Sequence, residues 1–427
     1  MRVLVLGAGG REHALCEALT RSTSVEHVVC APGNGGIAAL VTVRPVLVTD
    51  IPAVRALVAD ERIDLVVVGP EAPLVAGVAD ALAGEVAVFG PTRQAARMES
   101  SKAFAKDVMN AAGVPSARFW SGQDPTAARA SLEMFTPPYV VKADGLAAGK
   151  GVMICDERAE AERAVDACLL DRRFSDAGAR IVVEEYLEGP EVSLFALCDG
   201  HAGVGFATAQ DYKRALDGDQ GLNTGGMGAY SPVPALGPER TSELVAMTVH
   251  PVLSELAARG TPYTGVLYAG LVLTADGPRV LEFNARFGDP ETQAMLPRFN
   301  GDLGTLLHDA AAGRLAPGAY AGDWSQRACV TVVLASGGYP GAYEQAVPIQ
   351  GVEAAESRTD VTVFHAGTAR IGAGLVTAGG RVLAVSGLGD DHSTARATAY
   401  EAADRISFAG CHRRSDIART PLQEVRA

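Results

Sequence analysis

The sequence predicts a multidomain chain of mixed α/β and α+β class, on three observations. Residues 1 to about 92 alternate apolar strand-like runs with helical stretches, as a doubly wound parallel sheet requires. Two strand-like runs at 139–155 flank a glycine-rich loop, and a later apolar hairpin ends in a cluster of polar residues. From about residue 327 a shorter set of strand-like runs precedes a single helix. At 427 residues the chain has room for about three domains of roughly 150 residues each. The expected boundaries are 1–101 for the N-terminal parallel sheet, 102–326 for a central domain with a smaller subdomain at about 120–190, and 327–427 for a small α+β domain.

The N-terminal unit runs "RVLVLG", "REHALCEALTRS", "VEHVVCAPG", "IPAVRALVADE", "IDLVVVGPE", "LVAGVADALAG" and "VAVFGPT". Its first turn, Gly7-Ala8-Gly9-Gly10, looks like a dinucleotide fingerprint but departs from it twice. Glu12 stands where the third glycine belongs, and the second strand ends in Ala31-Pro32-Gly33-Asn34 where a ribose-binding acid is expected. NAD is therefore disfavoured. A glycine turn opening a helix still offers backbone N–H groups to a single phosphate; the alternative is a tight turn with no ligand.

A helix is predicted over "QAARMESSKAFAKDVMNAAG", stopped by Gly113 and Pro115. In "YVVKADGLAAGKGVMIC" the loop with Gly145, Gly149 and Gly151 could close over phosphates by its amides, with Lys142 and Lys150 adding charge. It is not a Walker A sequence, because no Ser or Thr follows Lys150. "RIVVEEYLEGPEVSLFALCDG" reads as two strands around Gly189-Pro190, with Glu184 and Glu185 on a possible solvated edge. A long polar loop is predicted over 210–232, and its Asp211, Lys213, Arg214 and Thr224-Gly225-Gly226-Met227-Gly228 favour function over a linker. A helix near 238–259 leads into the hairpin "GVLYAGLVL" and "RVLEFNARFGDPET". Strand alternation puts Glu282 and Asn284 on one face and Leu281 and Phe283 on the other, and two oxygen donors on one face suggest a cation.

Composition narrows the class. Hydrophobic residues are 48% and charged residues 20%, ordinary for a soluble enzyme. The net charge of -13 and the lack of a Lys/Arg run argue against nucleic acid, and no apolar run reaches membrane length. With no signal-like start, a cytoplasmic location is expected. Seven scattered cysteines without CxxC spacing support buried free thiols rather than disulfides or zinc. The 37 basic residues include only five lysines, at 102, 106, 142, 150 and 213. A compact ammonium beside a phosphate is not replaceable by a planar guanidinium, so most of these lysines are expected at a nucleotide, Lys106 being the one most like an exposed helix residue.

The motifs "GAGGREHAL", "APGNGG", "VVGPEAPLVAG", "FGPT", "SKAFAKD", "KADGLAAGKGV", "QDYKR", "NTGGMGAYSP", "YAGL" and "EFNARFGDPETQ" together resemble the phosphoribosylamine-glycine ligase (glycinamide ribonucleotide synthetase) family of the ATP-grasp superfamily, over nearly the whole chain. The resemblance implies a biotin-carboxylase-like N domain, an ATP-grasp core with a small glycine-loop lid, and a C-terminal domain. It implies ligation of glycine to 5-phosphoribosylamine with ATP as substrate, Mg²⁺ or Mn²⁺ as cofactor, small-molecule partners only, and a monomer. By the same resemblance Glu282 and Asn284 are the metal ligands, and Arg286, Lys213 and Asp211 the catalytic residues. ATP is assigned to Lys102, Lys142, Gly149, Lys150, Gly151, Glu184, Glu185, Tyr186, Leu187 and Glu191. Glycine and the ribosylamine are assigned to Gly9, Gly10, Gly33, Asn34, Asp211, Lys213, Arg214, Thr224, Gly225, Gly226, Met227, Arg286, Gly288 and Asp289. Many members carry His at Tyr212 and Pro at Leu222; Tyr212 is expected to stack or pack. Other ATP-grasp amine ligases, bicarbonate-using carboxylases and a non-catalytic nucleotide sensor are the rival readings.

Overall fold

The structure is a computed structural model describing residues 1–146, 151–316, 318, 320 and 322–423. The N-terminal residues form a five-stranded parallel sheet in the order Thr42–Val43, His27–Pro32, Arg2–Gly7, Leu65–Val68, Ala87–Phe89. Strand order reverses beside Arg2–Gly7, so the crevice at the carboxyl ends of the strands opens above the Gly7 turn. The strands are Val- and Leu-rich and buried on both faces, which is why their sequence shows continuous apolar runs rather than alternation.

Residues 119–185 build a four-stranded antiparallel sheet, Phe119–Gly122, Ile181–Glu185, Tyr139–Ala143, Val152–Cys155, backed by the helix Arg158–Leu169. The runs flanking the glycine loop are a hairpin, with Lys142 opposite Val152. The two strands around Gly189-Pro190 belong to different sheets: Ile181–Glu185 ends the small one and Glu191–Asp199 enters a large one. Residues 186–190 therefore cross the gap between the sheets.

The large sheet has eight antiparallel strands in the order Gly277–Asn284, Thr264–Thr274, Glu191–Asp199, Gly203–Asp211, Gly228–Ser231, Ala328–Ala335, Arg381–Gly389, Val361–His365. The strands after residue 327 do form an α+β unit with the helix His392–Ala403, but their sheet continues that of the central strands through Gly228–Ser231.

Three local expectations change. The helix predicted across 94–113 is two, Arg97–Ser100 and Lys102–Ala111, broken at Ser101, whose extended backbone (φ -140°) makes it an N-cap accepting from Phe104 N–H. The segment 210–232 is no plain loop, because Arg214–Leu216 and Gln220–Asn223 pair as a small hairpin. In Gly277–Asn284 a bulge shifts the register between Val280 and Glu282, for Glu282 pairs with Gly270 while Val280 pairs with Leu271. Leu281 is thus the extra residue, and Val280 joins Phe283 in the core in its place. Burying the Phe283 ring contributes roughly 2–3 kcal/mol and anchors the strand that carries Glu282. The buried-thiol expectation holds for six of the seven cysteines; Cys411 is exposed.

Asp302 ties the N-terminal sheet to the helix Leu303–Ala311. It caps that helix at Thr305 N–H (2.8 Å) and accepts from Ser24 N–H (2.8 Å), Ser24 Oγ (2.6 Å) and Thr23 Oγ1 (2.9 Å). Burial opposes its charge, but these donors outweigh it and bring the carboxyl down to about 2. Since the folded value lies below the unfolded one of about 3.8, the stabilisation is fully present above pH 4 and is lost as pH falls through about 2. Asp302→Ala is expected to lower unfolding free energy by about 1–2 kcal/mol at neutral pH, with the difference from the parent vanishing near pH 2, as urea titration at several pH values would register.

Candidate functional site

The bulged strand delivers Glu282 and Asn284 to the cleft, and the turn that follows delivers Arg286, Gly288 and Asp289. Burial opposes charge on Glu282, yet Lys213, Lys142, Lys102 and Arg286, in falling order of effect, hold its carboxyl below the usual carboxylate range. Four cations from four separate segments therefore act on one carboxylate. Lys102 opens its helix because Ser101 breaks the chain there, and Asp144 fixes that end by accepting from Ser101 Oγ (3.1 Å) and Ala103 N–H (2.7 Å).

Lys142 is buried and donates to Glu184 Oε2 at 2.8 Å. Lys106, expected on an exposed helix face, is also buried, 2% exposed, 3.3 Å from Glu184 Oε1 and hydrogen-bonded to the Ala117 carbonyl at 3.2 Å. Burial pulls its ammonium down to about 8 against the pull of Glu184. Glu184 is accordingly no solvated edge but the shared anion of two lysines. The side chain of Glu185 is taken by Arg118 (2.7 Å) and Arg279 (3.2 Å), and its N–H donates to the Arg118 carbonyl at 3.1 Å, so neither its carboxylate nor its amide is left for a ligand. Tyr186 is exposed, and Leu187 lies in the crossing segment beside it. The Gly151 carbonyl accepts from Ala143 N–H at 2.8 Å; Gly149 and Lys150 lie outside the described residues.

Lys213 donates to Glu191 Oε2 at 2.5 Å, and burial, which disfavours its charge, is overridden by Asp211, Glu191 and Glu282, so that its pKa is raised. Burial pushes the Asp211 carboxyl up to about 7, with Lys213 opposing and Glu291 and Glu191 adding to the rise. Thr224 caps the turn, its N–H and hydroxyl both reaching the Lys213 carbonyl at 2.8 Å while its oxygen accepts from Gly226 N–H at 2.9 Å. Gly226 has φ +114° and a Cβ there would sit 2.4 Å from Pro290, so glycine is required for the turn to approach the Asp289 loop. Met227 is fully buried and packs, while Arg214 donates to the Gly221 carbonyl at 2.9 Å within its hairpin.

Arg286 is the most heavily supported cation. Its Nη2 lies 2.9 Å from Glu99 Oε1 and 3.3 Å from Asn284 Oδ1, its Nη1 donates to the Phe287 carbonyl at 3.2 Å, and Glu71 Oε2 stands 3.6 Å from Nε. Burial pushes the Glu99 carboxyl up, and the guanidinium only partly offsets this. Asp289 is held below the usual range, burial being outweighed by Arg381 and Arg11. Arg381 bridges loops, donating to the carbonyls of Gly225 and Asp289 at 2.6 Å each. Gly288 packs on the Glu291 carboxylate, which accepts from Tyr268 OH at 2.8 Å.

At the Gly7 turn, Glu12 fills the space of the missing third glycine. Its carboxylate accepts from Gly9 N–H at 2.5 Å and from Arg11 Nε at 2.5 Å, so that donor is committed inside the chain. A Cβ on Gly10 would meet Gln293 Nε2 at 2.5 Å. Gly33, at φ +69°, donates to the Gly7 carbonyl at 3.1 Å. Asn34 spends its amide on the chain, donating to the carbonyls of Ala8 (2.8 Å) and His365 (2.7 Å) and accepting from the N–H groups of Gly36 and Ile37. Tyr212 packs as expected: its hydroxyl accepts from Ala418 N–H at 3.0 Å and the Arg414 guanidinium covers its ring at 5.0 Å.

Sequence reasoning missed Glu71, Glu99, Arg381 and Gln293. Glu71 and Gln293 lie inside quoted motifs, "VVGPEAPLVAG" and "EFNARFGDPETQ", which were signals; Glu99 and Arg381 carry none that spacing reveals. Among the described residues, two of the four buried side-chain polar atoms without a hydrogen-bond partner, Arg286 Nε and Gln293 Oε1, belong to this group of residues; Glu184 Oε1 is a third, with Lys106 Nζ at 3.3 Å.

Comparisons with known proteins agree along the chain. Residues 1–99 match the N domain of phosphoribosylglycinamide synthetase, 100–292 its ATP-grasp (A) domain and 329–420 its C domain. The chain is 51% identical over 422 residues to the phosphoribosylamine–glycine ligase of Streptomyces coelicolor, covering 98% of this chain and 99% of that one. It is 49% identical to the ligase of the same name from Phenylobacterium zucineum, covering 98% of each. Among solved structures it is similar to the phosphoribosylamine–glycine ligase of Thermotoga maritima, with TM-score 0.85, 34% identity, and coverage of 98% of this chain and 100% of that one. A biotin carboxylase domain from Hydrogenobacter thermophilus, with TM-score 0.72 at 14% identity over 96% of this chain and 91% of that one, shares the fold.

Proposed function

The chain belongs to the phosphoribosylglycinamide synthetase family, and from that premise we propose that its cleft joins glycine to 5-phosphoribosylamine, with ATP cleaved to ADP and phosphate, in purine biosynthesis. A carboxylate resists attack by an amine because its carbonyl is poorly electrophilic and oxide is a poor leaving group. Transfer of the γ-phosphoryl group gives glycyl phosphate, whose leaving group is good; the ribosylamine nitrogen attacks, and the tetrahedral intermediate expels phosphate to leave the amide. Such chemistry depends on positioning and charge neutralisation more than on acids and bases. The observation that carries the reading is that cations from separate segments, Lys142 paired with Glu184, Lys213 with Glu191 and Arg286 with Glu99, together with Lys102 lower the Glu282 carboxyl, a grouping of positive charge that a triphosphate would satisfy.

In this reading Lys102, Lys142 and Lys213 take the phosphates, and the crossing segment 185–187 with Glu191 takes adenine and ribose. Arg286, held by Glu99 and Glu71, meets the glycine carboxylate and the transferring phosphoryl group. Asp211, with its carboxyl near 7, can accept the proton that the attacking nitrogen loses. The turns at Gly9, Gly33, Thr224 and Asp289 surround the ribosylamine.

A divalent ion fits the donor set. Glu282 and Asn284 are hard oxygen donors, and Mg²⁺ or Mn²⁺ takes one or two such ligands with phosphates and water completing the shell. The cations around Glu282 would disfavour a divalent ion in the absence of a nucleotide. Held by Glu282 and Asn284, such an ion would supply neutralisation of phosphate charge.

The proposed enzyme works as a monomer on small molecules. No helix among the described residues is long and apolar enough to cross a membrane. The test is ADP formation with ATP, Mg²⁺, glycine and freshly prepared phosphoribosylamine, each omitted in turn. Full turnover is expected only with all four; turnover that needs bicarbonate and ignores glycine would overturn the proposal.

A further inference from the structure

We propose that Arg414, far from the cleft in sequence, is a positioning residue for Lys213, acting through the ring of Tyr212 and the carbonyl of Arg214. The inference rests on the reading of Lys213 as a cleft cation. The Arg414 side chain is 0% exposed and its fork is almost filled. Nη1 donates to the Arg214 carbonyl at 3.1 Å and to Asp219 Oδ1 at 2.7 Å, while Nε and Nη2 donate to Asp416 Oδ1 at 2.8 Å and Oδ2 at 2.7 Å. The guanidinium also covers the ring of Tyr212 at 5.0 Å. One planar group therefore grips the residues on both sides of Lys213.

The neighbouring chain repeats the pattern. Ser415 N–H donates to Asp217 Oδ1 at 2.7 Å, Gly218 N–H donates to Asp416 Oδ2 at 2.8 Å, His412 Nε2 pairs with the Ala215 carbonyl at 2.8 Å, and Ala418 N–H donates to the Tyr212 hydroxyl at 3.0 Å. Residues 412–418 thus lie along 212–219. On the far side the Lys213 carbonyl is held by Thr224, so the backbone is fixed all round while the ammonium reaches Glu191 and the field of Glu282.

A desolvated guanidinium with two carboxylates is a poor way to gain stability, because well-packed apolar side chains of similar volume often do as well or better. What it provides is a fixed plane and fixed directions. A lysine has four rotatable bonds, and an ammonium carried on a wandering hairpin would spread its charge over the cleft. An error of about 1 Å in a group that must meet a phosphoryl oxygen can cost about a hundredfold in rate.

The experiment uses the full-length enzyme with Arg414→Met, Arg414→Lys, Lys213→Met and the double variant Arg414→Met/Lys213→Met, followed by single-turnover phosphate release so that slow rates stay measurable. Arg414→Met is expected to lower the rate by about ten- to a hundredfold with an unchanged circular dichroism spectrum. Arg414→Lys should rescue little of it, since a point charge can neither stack nor bridge three acceptors. In the Lys213→Met background, Arg414→Met should cost no more than about twofold, because the group it positions is already gone. An equal loss in both backgrounds, or a folded Arg414→Met enzyme at the parent rate, overturns the proposal. Should Arg414→Met not fold, Tyr212→Leu, which removes the stacking face, replaces it in the same cycle with the same expectation. A parental rate in Lys213→Met alone instead overturns the assignment of Lys213.

Discussion

Glu282→Ala is expected to lower kcat by about a thousandfold while the protein stays folded. The strand that carries it is anchored by Val280 and Phe283, on the core side of the bulge, and loses nothing there when the carboxylate goes. What goes is the anion that Lys213, Lys142, Lys102 and Arg286 surround. Without it these cations repel one another and a divalent ion alike, so the nucleotide is still drawn in but its metal is no longer placed. Manganese electron paramagnetic resonance reads this directly. The parent should bind Mn²⁺ weakly alone and tightly with a non-hydrolysable ATP analogue, whereas Glu282→Ala should show weak binding in both cases. Tight Mn²⁺ binding by the parent without nucleotide would contradict the charge argument, and a near-parental rate in the variant would remove Glu282 from the site.

Arg286→Lys should be nearly as damaging by a different route. A lysine keeps the positive charge that Glu99 and Glu71 require, so stability should hold within about 1 kcal/mol, yet a point charge cannot match a carboxylate with two parallel donors. We expect kcat/KM for glycine to fall by about a hundredfold or more, with the KM for ATP changed far less. Arg286→Met separates charge from geometry. It strands two carboxylates, one of them the buried Glu99, and should cost about 3 kcal/mol at pH 8. Burial already pushes the Glu99 carboxyl up, and removing the guanidinium pushes it further, so Glu99 can take a proton at pH 5 and the deficit should shrink there. A deficit that grows towards acid would refute the pairing.

The parallel sheet, the hairpin around the glycine loop and the outward pair Glu282 and Asn284 were all legible, because each depends on local periodicity or on a turn residue that sterics demand. The failures share a physical cause: the deciding partner is remote. Lys106 sits on a helix whose polar face looks solvated until Glu184 arrives from another element. The bulge at Leu281 is set by the strand opposite, since nothing within "RVLEFN" says which residue will be skipped. Glu99 supports the Arg286 turn from 186 positions before Ala285, and Arg414 reaches Arg214 across 200 positions. Family resemblance proposed ligands that spacing could not, but not the groups that hold those side chains.

The sheet shared by the central and C-terminal strands bears on how the polypeptide emerges from the ribosome. Gly228–Ser231 pairs on one side with residues made shortly before it, and on the other with Cys329–Val332, synthesised about a hundred residues later. During that interval the nascent strand shows a bare, sticky border to solvent, of the kind that invites wrong neighbours. Translation paused or truncated between Asp289 and Cys329 should therefore leave a product that aggregates or calls on chaperones, even though Glu282, Asn284 and Arg286 have already been made.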